Sequence, residues 1–116
     1  MGHSLGGVVA SQAALSKSNI EGLVLLASYP AEGTDLSNST MKVLSIVGNQ
    51  DQVINRENYD NADIRLPATT QKVVIDGGNH SQFGDYGFQK GDGVATINKE
   101  NQWQQVADEV SQMFSK

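Results

Sequence analysis

The start of the chain holds a serine in a turn that is typical of a hydrolytic nucleophile. In Gly2-His3-Ser4-Leu5-Gly6, a glycine stands two residues to either side of Ser4, and a helical pattern follows at once. A serine on a sharp strand-to-helix turn projects its hydroxyl group from the sheet edge, while the helix N-terminus directs N–H groups towards developing negative charge. Ser4 is therefore the candidate nucleophile, and the N–H of Leu5 is a candidate oxyanion donor.

The same turn has a second interpretation, a glycine-rich helix start or an anion-binding loop without chemistry. A nucleotide-binding P-loop is excluded because no Gly-Lys-Ser/Thr follows, and the Gly-x-Gly-x-x-Gly spacing of dinucleotide sites is also absent. Taken alone, the turn does not decide between a nucleophile and a structural cap.

A serine hydroxyl needs a base to become nucleophilic, and the chain offers 2 histidines for that role. His3 adjoins Ser4 but points elsewhere on such a turn, so we expect a supporting role for it. His80 directly follows an apolar run that predicts a strand, and catalytic groups gather at the carboxyl ends of parallel strands. A lone loop histidine is commonly only a surface residue, but His80 is the candidate base here.

An acid must orient that imidazole and stabilise its charged form. Asp51 follows another predicted strand, at the same edge of the sheet. Asp60 and Asp63 lie further on in a predicted helix, and Asp76 still belongs to a strand. An aspartate in such a turn is often only a turn-former. The order serine, aspartate, histidine, each after a successive strand, is far more specific than any one residue and makes Asp51 the candidate acid.

Three short apolar runs and three helical patterns must position these residues. The apolar runs predict strands buried on both faces, and their alternation with helices predicts an α/β fold with a parallel three-stranded sheet and flanking helices. Asn98 is a good N-cap for the last helix. The predicted strands cover 23–27, 42–47 and 71–76, and the predicted helices cover 5–16, 55–63 and the segment after Asn98.

Composition limits the function classes. A chain of 116 residues forms one domain, and its net charge of -5 without a basic cluster argues against nucleic-acid partners. No stretch is long enough to span a membrane. The absence of cysteine excludes thiol catalysis and thiolate metal sites, and no other motif calls for a cofactor or metal. No signal peptide can be read, so we expect a cytoplasmic protein if this chain is the whole product.

The sequence resembles the α/β-hydrolase superfamily in its Gly-His-Ser-Leu-Gly-Gly turn, its Val-Leu-Ser-Ile-Val-Gly-Asn-Gln-Asp run and its histidine loop. The run from Gly77 to Ile97 resembles a bacterial subgroup described as dienelactone-hydrolase-like. The resemblance implies that Ser4, Asp51 and His80 are nucleophile, acid and base. It also implies a small-molecule carboxylic ester or lactone as substrate.

The resemblance begins at the nucleophile turn, whereas complete members have several strands before it. We therefore expect residues 1–116 to be a single truncated domain in which no strand braces the turn. The predicted strand 23–27 would then expose an apolar edge, which invites pairing with another chain. This predicts a homo-oligomer through that strand.

Three hypotheses follow from the sequence. The first is a serine hydrolase that acts on carboxylic esters or lactones through an acyl-enzyme. The second is a catalytically inactive fragment that folds by self-association, because losing one oxyanion donor costs about two to three orders of magnitude in rate. The third is a non-enzymatic binding module that uses the same cleft.

Overall fold

The computed structural model describes residues 1–17 and 19–115, which form one parallel sheet with helices on both faces. The four strands lie in the order β1-β2-β3-β4, and each neighbouring pair is parallel. Short 3-10 turns occur at Ala62–Arg65 and Ser81–Phe83. The remaining elements are β1 Gly2–His3, α1 Leu5–Ser16, β2 Gly22–Leu26, β3 Lys42–Gly48, α2 Arg56–Asn61, β4 Gln71–Ile75 and α3 Lys99–Phe114.

The predicted α/β class with a parallel sheet is confirmed, but the predicted number of strands is wrong. Gly2–His3 forms an additional strand, β1, whose residues pair with Leu25 and Leu26 of β2. The expectation that no strand braces the nucleophile turn is wrong for the same reason. These two residues in extended conformation are enough to form a short parallel ladder with β2 that ends next to Ser4.

Strands β2 and β3 carry the core, because both of their faces are covered. Residues at alternate positions point to opposite faces of a strand, and two apolar clusters result. On one face, Val24, Leu26, Leu44 and Ile46 pack with Met113 of α3. The cluster on the other face contains Ala14 of α1 together with Leu23, Leu25, Leu36, Met41, Val43 and Leu66.

Helix α1 packs closely on the sheet because its buried face consists of small residues. Gly7, Ser11 and Ala14 are buried and recur at helical spacing. The Ser11 hydroxyl group donates to the carbonyl of Gly7 at 2.8 Å, so its burial leaves no unpaired donor. Two side chains on the outer face of the same helix, Leu5 and Val9, are exposed.

Helix α3 begins where the sequence predicts it. The Asn98 side chain accepts a hydrogen bond from the N–H of Asn101 at 2.8 Å, which satisfies one of the free donors of the first turn. Val106 and Val110 pack against the core, as their spacing predicts, whereas Ala107 is exposed. Within residues 1–17 and 19–115, no helix has the length and apolar character to cross a membrane.

Candidate active site

Ser4 lies between β1 and α1 in a strained backbone conformation, with φ 56° and ψ -123°. Such a conformation costs a non-glycine residue about 1–3 kcal/mol and persists only where surrounding contacts enforce it. Two contacts with the end of β2 do so. The N–H of Ser4 donates to the carbonyl of Leu26 at 3.0 Å, and the Ser28 hydroxyl group donates to the carbonyl of Ser4 at 2.6 Å.

Two of the three glycines near Ser4 stand where a larger residue would clash with its neighbours. A methyl group at Gly2 would overlap the carbonyl of Gly6, and one at Gly7 would overlap the Ser28 side chain. At Gly6 itself a methyl group would meet open space. The sterically required pair is therefore Gly2 and Gly7, and Gly6 contributes the backbone that Gly2 approaches.

Leu5 is the first residue of α1, so its N–H has no acceptor within the helix. Its side chain lines the same cavity as Ser4. That position suits an oxyanion donor, which must aim at a carbonyl oxygen held at Ser4. The role of Leu5 stays a prediction.

Asp51 and His80 come together as a buried pair. Nδ1 of His80 lies 2.8 Å from Oδ2 of Asp51, and the two side chains are 2% and 0% exposed. The other carboxylate oxygen of Asp51 accepts the N–H groups of Val53 and Ile54 at 2.8 and 2.9 Å. The bonds from Val53 and Ile54 fix the carboxylate. The bond between Asp51 and His80 fixes the imidazole with Nδ1 towards the acid.

The environment keeps Asp51 ionised. Burial alone would raise the pKa of this carboxyl group, but the hydrogen bond with His80 and those from the Ile54 and Val53 amides outweigh it and lower the pKa. An ionised acid at this position can hold a proton on Nδ1 of the imidazole, which leaves Nε2 free to act as a base. The pair therefore has the arrangement that general-base catalysis requires.

The other aspartates near the sheet edge do not contact His80. Asp63 pairs with Lys72, Asp76 accepts a hydrogen bond from Asn49 at 2.8 Å, and Asp60 is exposed on α2. Asp51 alone among these four carboxylates faces the imidazole, as the order of elements predicts.

Ser4 and His80 line one cavity of about 330 Å³ at the carboxyl ends of the strands. In the part of the chain that the structure describes, the Ser4 hydroxyl group makes no hydrogen bond to His80, so two of the three predicted residues are directly joined and the third shares a cavity with His80. Catalytic hydrogen bonds are often long before substrate binds. The cavity is lined by Ser4, Leu5, Val8, Ala27, Ser28, Tyr29, Val53, Ile54, Asn55 and His80.

His3 packs behind the candidate base. Its ring centroid lies 4.7 Å from that of His80 and 5.6 Å from that of Tyr86, whose hydroxyl group contacts Nδ1 of His3. Burial and the neighbouring His80 lower the pKa of His3. A neutral His3 supports the position of the His80 ring without adding a second positive charge beside it.

Gln102 is a site residue that the sequence reasoning missed. It is fully buried, and its amide group donates to the carbonyl of Asn79 at 2.9 Å and accepts the N–H of Asn79 at 3.3 Å. Gln102 thereby fixes the residue directly before His80. One signal was available, because Gln102 lies four residues before Val106, on the apolar stripe of α3, where a polar residue is conspicuous.

The described residues contain no group of three or more His, Cys, Asp or Glu side chains that could hold a metal ion. The arrangement at the sheet edge instead combines a serine on a strained turn, a helix N-terminus and a buried acid–imidazole pair. These are the parts that acyl transfer to a serine requires.

Comparison with known proteins identifies the family of the chain. A profile of the alpha/beta hydrolase family matches residues 1–104, which is most of the chain. A search of curated proteins found no match. Together with the parallel sheet, the match shows that the chain belongs to the alpha/beta hydrolase family.

Proposed function

We propose that this protein is a serine hydrolase that acts on carboxylic esters or lactones through Ser4, His80 and Asp51. The observation that carries the proposal is the buried bond of 2.8 Å between His80 and Asp51, placed beside a cavity that Ser4 also lines. A buried acid–imidazole pair has little structural reason to face a serine on a strained turn. Nucleophilic catalysis accounts for all three placements.

In the proposed reaction, the Ser4 oxygen attacks the carbonyl carbon of the ester, and Nε2 of His80 accepts the hydroxyl proton. Asp51 stabilises the resulting imidazolium, and the N–H of Leu5 donates to the oxyanion. His80 then returns the proton to the departing alcohol oxygen, which leaves an acyl group on Ser4. Water, deprotonated by His80, attacks the acyl-enzyme, and His80 returns that proton to the Ser4 oxygen as the acid leaves.

The cavity favours an uncharged acyl group. Val8, Val53 and Ile54 line it together with Tyr29, and the lining residues include no Lys or Arg. A volume of about 330 Å³ holds a small substrate. A short-chain neutral ester therefore suits the cavity better than a lactone with its own carboxylate, which is the finer point on which the dienelactone-hydrolase-like resemblance depends.

The test is covalent labelling of the purified chain with an alkyl fluorophosphonate, read by mass spectrometry. We expect one phosphonyl group on Ser4, none on the Ser4→Ala variant, and turnover of p-nitrophenyl acetate by the unchanged protein. The absence of both labelling and turnover in a folded sample would refute the hydrolase proposal for this chain.

A catalytically silent protein is the second candidate, and one observation favours it. The Ser4 hydroxyl group is not hydrogen-bonded to His80, so the proton transfer needs a closer approach than the structure shows. The labelling experiment separates the two candidates, because a fluorophosphonate reacts with a serine that has a working base.

The homo-oligomer through strand 23–27 stays a prediction, and its basis changes. The side chains of Leu23, Val24 and Leu25 are buried within the chain, and β1 already pairs with Leu25 and Leu26. Within β2, the residues before Leu25 have no partner among the described residues on the side where β1 lies, so that part of its backbone could pair with another chain. A monomer by light scattering at micromolar concentration would exclude the oligomer.

A further inference from the structure

The segment around Asp92 and Gly93 lies against the turn that carries Asp51 and the loop that carries His80. A methyl group at Gly93 would overlap the carbonyl of Gln50, which lies directly before Asp51. The carbonyl of Gly93 accepts a hydrogen bond from the Asn79 side chain at 2.9 Å, directly before His80. This segment is therefore in a position to set the distance between the acid and the base.

Asp92 makes four hydrogen bonds from the same segment. Its Oδ2 accepts the N–H and the hydroxyl group of Ser81 at 2.8 and 2.7 Å. Its Oδ1 accepts the N–H groups of Gln52 and Gly93 at 3.1 and 2.8 Å. Ser81 directly follows the base in the chain, and Gln52 directly follows the acid.

Asp92 is ionised in this environment. Burial would raise its pKa, but the bonds from Ser81, Gln52 and Gly93 outweigh that effect and lower it. Hydrogen bonds to a charged acceptor are about twice as strong as those between neutral groups. One carboxylate thus joins the two turns through strong bonds on both of its oxygens.

We propose that Asp92 is a positioning residue. It holds the turn that carries Asp51 (residues 49–52, the acid turn) and the loop that carries His80 (residues 77–81, the base loop) at the register, that is, the relative position, in which His80 bonds Asp51. The inference rests on the proposed function, since it gives that register a catalytic purpose. Two further hydrogen bonds join these turns, from the N–H of Gln50 to the carbonyl of Gly78 and from the N–H of Gly77 to the Asn49 side chain, both at 2.8 Å. These residues precede the acid and the base in the chain, whereas Gln52 and Ser81, which Asp92 bonds, follow them.

Asp92→Asn tests the proposal because an amide group can accept on only one side. Its NH2 group must face either the donors of Ser81 or those of Gln52, so one half of the link is broken while the side chain keeps its size. Asp85→Asn is the matched control, since Asp85 lies on the same loop, is exposed, and among the described residues bonds Lys99, at 2.8 Å.

Three measurements on the full chain separate positioning from folding. We expect Asp92→Asn to label at Ser4 about 10- to 100-fold more slowly than the unchanged protein, since small misplacements cost rates of this order. The fraction labelled at completion should be unchanged, which a partly unfolded sample would not show. The low-field NMR resonance of the His80 Nδ1 proton should shift or broaden. Asp85→Asn should change none of the three.

The proposal is overturned if folded Asp92→Asn labels at the unchanged rate with an unshifted His80 resonance, or if Asp85→Asn is slowed equally. Ser81→Ala, which removes one of the four bonds, serves if Asp92→Asn does not fold; a rate and a resonance equal to those of the unchanged protein would overturn it too. If the unchanged protein does not label, the hydrolase proposal fails, and the His80 resonance still decides the role of Asp92.

Discussion

Replacing Asp51 by asparagine changes one oxygen of the buried acid into an NH2 group and keeps the size of the side chain. The remaining carbonyl oxygen can still accept the Val53 and Ile54 amides, which lie 2.8 and 2.9 Å from Oδ1. The NH2 group then faces Nδ1 of His80, 2.8 Å from the replaced oxygen. Two donors cannot share that contact, so the imidazole must move its proton to Nε2.

With its proton on Nε2, His80 cannot accept the hydroxyl proton of Ser4. We expect the rate of fluorophosphonate labelling to fall by about 10⁴-fold, the size of loss that the wrong tautomer causes in a serine triad. Exchanging a bond to a charged group for a neutral one should also lower the free energy of unfolding at pH 7 by about 1 kcal/mol. The two effects are measured separately, by labelling kinetics and by urea denaturation.

The difference in stability should depend on pH in one direction. Because the folded protein lowers the pKa of Asp51 below its ordinary value of 3.8, ionisation stabilises the fold above that pH, and this contribution is lost as the pH falls through the folded pKa. Asparagine has no such dependence. The stabilities of the two proteins should therefore converge in acid.

Asp60→Asn is the control for the Asp51 variant, since Asp60 is an exposed aspartate on α2. Its labelling rate should match that of the unchanged protein. ¹⁵N NMR of the imidazole reports the tautomer of His80 without any reference to activity. An Asp51→Asn protein that labels within tenfold of the unchanged protein, or keeps the His80 proton on Nδ1, would refute the assignment of the acid.

Three further substitutions test the supports of the site. Gly7→Ala should cost about 1–3 kcal/mol of unfolding free energy by crowding Ser28, whereas Gly6→Ala meets open space, and equal urea midpoints would contradict this. Gln102→Leu should cost about 2–5 kcal/mol, because it leaves buried backbone groups of the base loop unpaired; a smaller loss at the urea midpoint would show that water replaces the amide. His3→Gln should reduce the loss of unfolding free energy as the pH falls below about 6.5. The lowered pKa of His3 means that the unfolded chain binds more protons than the folded chain in that range; parallel curves of stability against pH for the two proteins would argue against this role.

The elements that the sequence predicts best are those with a short apolar run or with small and apolar residues at helical spacing. The helix expected over 5–16 is observed at Leu5–Ser16, and the apolar runs become β2, β3 and β4 with ends shifted by at most one residue. The helix expected over 55–63 instead ends at Asn61 and continues as a 3-10 turn. Local pattern determines where an element lies, but its ends depend on tertiary contacts.

The residues that the sequence did not predict are those whose roles depend on how loops meet. A segment of two residues is too short to show the alternating pattern of a strand, so β1 is recognised only by its pairing with β2. Asp92 stands among glycines in an irregular segment, and only the folded chain brings it between Gln52 and Ser81. The order of the candidate triad could be predicted because it follows the order of the strands.

The two sides of the site are fixed to different degrees. The acid and the base are buried and restrained by several contacts, among them those of Gln102 and Asp92. The nucleophile side has fewer: β1 contributes two paired residues, and two hydrogen bonds hold Ser4 against the end of β2. Because the strained conformation of Ser4 persists only while those contacts hold, the alignment of Ser4 with His80 is the step on which activity depends. A folded but slow enzyme would thus be limited on the nucleophile side, with the acid–imidazole pair intact.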